Sequence, residues 1–262
     1  MEKSTIIGII LAVLGVGVGM VIKGVSVKAL GNPAAIVIIF VGTAACIFNA
    51  FPMEYMKKIP TLFKKLFKQQ ELIPKVDLLK MFVELSQTAR REGILALESK
   101  VEEIPDPFLK TGLSMVIDGL DPDFVSDVLD AEIQGMEDRH RHGALIFTQA
   151  GTYAPTLGVL GAVVGLIAAL GNLDDIEKLG PAIAAAFVAT LLGIFTGYVL
   201  WHPFANKLKM LSQKEVEIRK MMVEGILSLQ AGDSPTAIEA KLTVFIPQQE
   251  RALLKAKAAE EK

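Results

Sequence analysis

Apolar and polar residues in this chain are sorted into long blocks. Four apolar runs, at about 5–22, 33–52, 144–170 and 181–203, hold no Asp, Glu, Lys or Arg in their interiors. Each is close to or above the roughly 20 residues with which an α-helix crosses a bilayer core. The pattern predicts four transmembrane helices arranged as two hairpins. The run 144–170, ALIFTQAGTYAPTLGVLGAVVGLIAAL, is not built like a plain lipid anchor. Thr148, Gln149, Thr152, Tyr153, Pro155 and Thr156 interrupt it, and Gly158, Gly161 and Gly165 follow. Hydroxyls and a proline at depth suit a helix that faces protein or water, and small residues let helices approach closely.

The segments between the runs carry a helical period. In 60–70, PTLFKKLFKQQ, Leu62, Phe63, Leu66 and Phe67 share one face with lysines opposite, the pattern of an interfacial helix or of one docked on a neighbour. Leu78, Leu79, Phe82 and Val83 continue the period over 77–91, and Gly93 stops it. Pro105 and Pro107 mark a turn before a short helix to Asp118, and Asp121-Pro122 then supplies an N-cap with a proline in the first turn. A continuous helix from about 122 to 170 would be roughly 70 Å long at about 1.5 Å per residue, with only about 30 Å of it in hydrocarbon. The fourth helix is expected to run on in the same way to about 230, and Ser234-Pro235 to start a short last helix. The expected fold is all-α: a multi-pass membrane protein with four transmembrane helices and a helical cytoplasmic domain into which helices three and four extend. Its divisions are a first transmembrane hairpin at 1–52, a cytoplasmic helical domain at 53–143, a second hairpin at 144–205 and cytoplasmic C-terminal helices at 206–262.

Composition agrees with that segregation, because 52% hydrophobic residues coexist with 21% charged ones. Lys57, Lys58, Lys64, Lys65 and Lys68 follow the second run, Arg139 and Arg141 precede the third, and Lys207, Lys209 and Lys214 follow the fourth. The short connections hold little positive charge, Lys23 and Lys28 in one and Lys178 among Asp174, Asp175 and Glu177 in the other. By the positive-inside rule both termini and 53–143 are cytoplasmic, in a cytoplasmic (inner) membrane. A net charge of −2 argues against nucleic acid as a partner. The single Cys46 excludes a disulfide framework, the three histidines form no zinc pattern, and no other metal site is expected. Gly15, Gly17 and Gly19 lack the lysine and hydroxyl of a phosphate cradle, so no cofactor and no catalytic constellation is assigned.

A chain that carries ions across a membrane needs an ionisable group at depth. None of the four runs has an acidic or basic residue there, so the charge carrier would belong to a partner chain. Thr190, with Thr156 and Thr152, is the candidate lining of an ion path, against the ordinary alternative that each hydroxyl bonds its own i−4 carbonyl. Gly161-x-x-x-Gly165 and Gly193-x-x-x-Gly197 read as packing faces, with the glycines of the third run as contacts within a multi-chain ring. Pro155 permits a kink at depth and Pro203 a bend at a helix end. Arg90 and Glu98, in ARREGILALE, are charges at a helix end that fit either a partner surface or a solvated face.

Three blocks, ARREGILALE, AGTYAPTLGVLGAVVGLIAAL and FVATLLGIFTGYVLWHPFANKL, at this spacing and topology, resemble the MotA/PomA family of bacterial flagellar stator subunits. More distantly they resemble the MotA/TolQ/ExbB proton channel family. The resemblance covers about 5–250. It implies a subunit that conducts ions with a peptidoglycan-anchored MotB-like partner, whose membrane helix supplies the ion-carrying Asp. It also implies a homopentameric ring, torque on the rotor protein FliG through Arg90 and Glu98, coupling through Pro155 and Pro203, and an ion path past Thr190. Sodium-driven relatives resembling PomA have Thr after the glycine matching Gly161. Ala162 stands here, which removes a hard oxygen ligand and favours protons. The alternatives are a sodium-driven stator, an ExbB- or TolQ-like energiser of envelope transport, which typically has three membrane helices, and a passive membrane scaffold.

Overall fold

The structure, a computed structural model, describes residues 3–68, 70–171 and 176–252. Helix α1 (Lys3–Ile22) is followed by a 3-10 turn at Val27–Leu30. Next, α2 (Pro33–Ile36), a π-helical segment at Val37–Val41 and α3 (Gly42–Ala50) form one continuous span. The short α4 (Met53–Met56), α5 (Ile59–Phe67), α6 (Lys75–Glu92), α7 (Glu98–Glu102) and α8 (Pro107–Ile117) lead to α9 (Pro122–Leu170). After it, α10 (Ile176–Phe195), a second π segment at Thr196–Trp201 and α11 (His202–Gln230) are again continuous, and α12 (Pro235–Thr243) follows.

Local chemistry sets these boundaries. The Asp106 carboxylate accepts the Leu109 N–H at 2.9 Å with Pro107 in the first turn of α8. Asp121 accepts from Asp123 and Phe124 at the start of α9, and Ser234 from Ala237 at the start of α12. Gly93 ends α6 with φ +89°, a backbone conformation that disfavours any side chain. Among the described residues, four helices are long and apolar enough to cross a membrane: Lys3–Ile22, Pro33–Ala50, Pro122–Leu170 and Leu179–Gln230. The expected all-α, four-span fold is present. Asp174 and Asp175, which entered the orientation argument, lie outside the described residues, as does the Lys178 side chain.

The chain divides into two compact units, 1–70 with 139–211, and 71–138 with 212–262. Both α9 and α11 contribute to each, so the third and fourth spans extend beyond the membrane unit. In the second unit α6, α8, α9, α11 and α12 enclose a core that includes Phe82, Phe108, Leu129, Met221 and Ile226, all essentially inaccessible. Lys75 binds Glu217 at 2.7 Å and donates to the Phe245 carbonyl, and the Arg219 guanidinium stacks over Phe108. Lys241 bridges Asp233 and Glu224. Its hydrogen bond holds the Asp233 carboxyl below the usual range, and the same bond raises the Lys241 pKa. The lowered carboxylate contributes stability above the ordinary value of 3.8 and loses it only as pH falls through the lowered one, so a neutral cytoplasm leaves the pair intact.

Gly225 decides how closely α11 meets α6. A β-carbon there would lie 2.5 Å from the buried Phe82 ring. Gly225→Val is therefore expected to cost about 1–3 kcal/mol through overpacking. The thermal midpoint of the purified complex should fall by several degrees; an unchanged midpoint would show that the ring has room to move.

In the first unit, α5 turns Leu62, Phe63, Leu66 and Phe67 onto Ala144, Phe147, Phe204 and Leu208. Edge-to-face contacts knit Phe63 to Phe147, Trp201 and Phe204 at ring separations of 5.1–6.3 Å. Large side chains along α1, including Ile7, Leu11, Leu14 and Val18, stay exposed. That surface suits hydrocarbon rather than water.

Candidate functional site

The third and fourth spans meet backbone to backbone. A β-carbon on Gly193 would lie 2.7 Å from the Ala154 carbonyl oxygen and 2.7 Å from Gly158 Cα. One on Gly158 would reach the Ala189 oxygen at 2.9 Å. Gly161 faces the Ala189 methyl and Gly165 the Ala186 methyl, at 3.1 and 3.0 Å from their would-be β-carbons. Among these small residues, two helices come within direct main-chain contact. Gly158, Gly161 and Gly165 thus meet partners inside this chain, in α10. Spacing reveals a face made for close approach but not which helix covers it. By contrast, Gly8, Gly15, Gly17 and Gly19 of α1 meet nothing within 4 Å.

Below this crossing the backbone changes pitch. The His202 N–H donates to the Gly197 carbonyl, one residue further back than in an α-helix. Pro203 supplies the cause: it has no N–H to complete an α-helical bond to Val199, and its ring crowds that carbonyl. The π segment absorbs the mismatch. Pro155, half-buried inside α9, packs its ring on Gly197, where a β-carbon would lie 2.7 Å from Pro155 Cγ. His202 fills the space beside Gly151 and stacks near Tyr198 at 5.3 Å. Pro155, Gly197, the π segment and Pro203 form one connected structure. The sequence pointed to both prolines and to Gly193-x-x-x-Gly197 as a packing face, but not to the π segment or to the Pro155 ring as Gly197's partner; the proline at the end of an uncharged span was the available signal.

The threonines line up along α9. Thr148, Thr152 and Thr156 each donate to the carbonyl four residues before, at 3.2, 3.1 and 3.3 Å. Thr190 does the same to Ala186 at 3.5 Å, and Thr196, fully buried, to Leu192 at 2.8 Å. The ordinary back-bonded geometry is therefore the one adopted. It spends each hydroxyl's proton and leaves the oxygen lone pairs free to accept. Thr152 and Thr156 are exposed, while Thr190 and Ala162 are half-buried on the flanks of the Ala189 and Gly161 contacts. Neither Thr152 nor Thr156 uses its hydroxyl on Thr190.

Arg90 and Glu98 lie in the other unit, in the last turn of α6 and the first of α7, and both are exposed. Gly93 and the 3-10 turn Ile94–Leu97 separate them, and Leu95 in that turn is 69% exposed. Arg90 also lines a cavity of 640 Å³ with Leu120, Asp121 and Gln230. Among the described residues no cluster of three or more His, Cys, Asp or Glu could hold a metal ion.

The model of the MotA/TolQ/ExbB proton channel family matches residues 100–221, and that of the motility protein A N-terminal region matches 6–93. Motility protein A of Bacillus subtilis (strain 168) is 58% identical over 96% of this chain and 93% of its own length. Chemotaxis protein PomA of Vibrio alginolyticus is 32% identical over 97% of this chain and 98% of its own. A solved structure of the flagellar MotAB stator complex from Bacillus subtilis superposes with a TM-score of 0.92 at 57% identity, covering 97% of this chain and 99% of that one.

Proposed function

The chain belongs to the motility protein A family, within the MotA/TolQ/ExbB proton channel family, and is a flagellar stator subunit of the inner membrane; from that premise we propose how it couples ions to torque. It conducts protons together with a MotB-like subunit anchored to peptidoglycan, and it exerts the resulting force on the rotor protein FliG. The observation that carries this reading is the pair of spans joined glycine to glycine, with acceptor oxygens at Thr152 and Thr156 turned outward. No acidic or basic side chain lies at depth in either span. Such a wall accepts hydrogen bonds but carries no charge, so the titrating carboxylate is the partner's Asp. Thr190 and Thr156 line the path and Ala162 leaves it without the extra oxygen that sodium would use. Both termini lie in the cytoplasm, and several copies, five by family resemblance, surround the partner.

Pro155 and Pro203 couple the two processes. A π segment clamped between two prolines is a place where a helix can change pitch without breaking. Neutralising the partner's Asp changes the electrostatics beside the wall, and the lower halves of the spans respond by shifting about this joint. Arg90 and Glu98 are the charges presented to the rotor. Arg90→Glu is expected to reduce swimming sharply at normal protein levels, with partial recovery when the facing rotor charge is also reversed. Unchanged swimming would remove Arg90 from the rotor contact.

A further inference from the structure

We propose that α5 is a headgroup site for anionic phospholipid. The helix runs Ile59–Phe67, separated from the end of the second span at Ala50 by the short α4. Its apolar side is already taken: Leu66 is fully buried, and Phe63 and Phe67 are packed into the aromatic cluster with Phe147, Trp201 and Phe204. The helix is therefore held by protein contacts and does not need hydrocarbon for its own burial. What it offers outward is positive. Lys57, Lys58, Lys64 and Lys65 are all exposed. Among the described residues Lys57, Lys64 and Lys65 have no ion-pair partner, and Lys58 only lies over the Tyr55 ring at 5.2 Å. Two cations on the helix and two in the turn that leads into it, all a few residues past a membrane span, face the level of the phosphates. Basic residues near an anionic membrane surface are attracted to its phosphates.

The occupant follows from charge and position. A bilayer surface supplies many phosphates at the right height, and the lysine stems can lie along the interface with their heads toward them. The proposal rests on the membrane placement but on neither the ion nor the rotor assignment.

Trp201 is the one tryptophan of the chain and lies 6.3 Å from Phe63 of α5, which makes it a local reporter. Its fluorescence is read in the full complex with the partner subunit, as the difference between the parent and Trp201→Phe forms. The bilayers contain brominated phosphatidylglycerol or brominated phosphatidylcholine, whose bromines quench a nearby indole. We expect phosphatidylglycerol to be preferred about fivefold, the equivalent of about 1 kcal/mol. The preference should fall to near unity in K57Q/K58Q/K64Q/K65Q. It should also shrink for the parent in 1 M salt, where screening acts within about 3 Å; that arm stands even if the variant fails to assemble. Equal quenching by the two lipids in the parent would overturn the proposal, as would a preference that survives both the substitutions and the salt. Absence of quenching by either lipid would overturn it together with the membrane placement.

Discussion

Replacing Gly193 by valine is expected to abolish motility and to strip this chain from the assembled stator. The β-carbon alone would sit 2.7 Å from both a carbonyl oxygen and an α-carbon of α9, neither of which can rotate away. The two helices must separate or tilt, and the close contacts at Gly158, Gly161 and Gly165 go with them. In lipid there is no hydrophobic drive to hold helices together, since the surrounding chains are as apolar as leucine. Packing and interhelical contacts carry the association. Gly193→Ala should give an intermediate defect and Gly158→Val one as severe as Gly193→Val. Membrane abundance and swimming should fall together across the series. Normal abundance and swimming in Gly193→Val would show that the crossing is not needed.

Pro203→Ala should separate assembly from torque. Alanine restores the N–H that an α-helix donates to Val199, so the reason for the π segment disappears. When that segment relaxes, one residue's worth of helical rotation is redistributed and Gly197 leaves the Pro155 ring. The glycine crossing above is untouched, so abundance stays normal. Torque in single rotating cells should fall to a small fraction of the parent's, and infrared or hydrogen-exchange measurements should report tighter bonding around 196–203. Full torque from this variant would mean that the π segment is not the coupling joint.

Much of this architecture is legible in the sequence because membrane solvation is an unforgiving filter. A span without internal charge has few alternatives to crossing as a helix, and Asp121, Ser234 and Gly93 mark their helix ends by chemistry that acts within four residues. The 49-residue α9 follows from the lack of any breaker between Pro122 and Leu170 except a proline that lipid-embedded helices tolerate. Partnership between helices is harder to read. Gly158 meeting Gly193, and Gly197 meeting Pro155, depend on the register of two spans, which is set by their connection and packing rather than by either sequence. The threonines illustrate the same limit. Their back-bonding is a local rule, whereas the direction in which Thr152 and Thr156 face follows from the side that α10 leaves open.

In the proposed function this chain walls a proton path whose charge-carrying carboxylate belongs to the partner. Flux through the complex in sealed vesicles, driven by an imposed potential and followed with an internal pH dye with and without sodium, tests it most directly. Each proton crossing releases about 2.3 kcal/mol per 100 mV, so a modest potential is enough to drive measurable acidification. Acidification should proceed at the same rate in both media and be abolished when the partner's Asp becomes Asn. Flux that requires sodium, or that survives loss of the Asp, would contradict the proposed function.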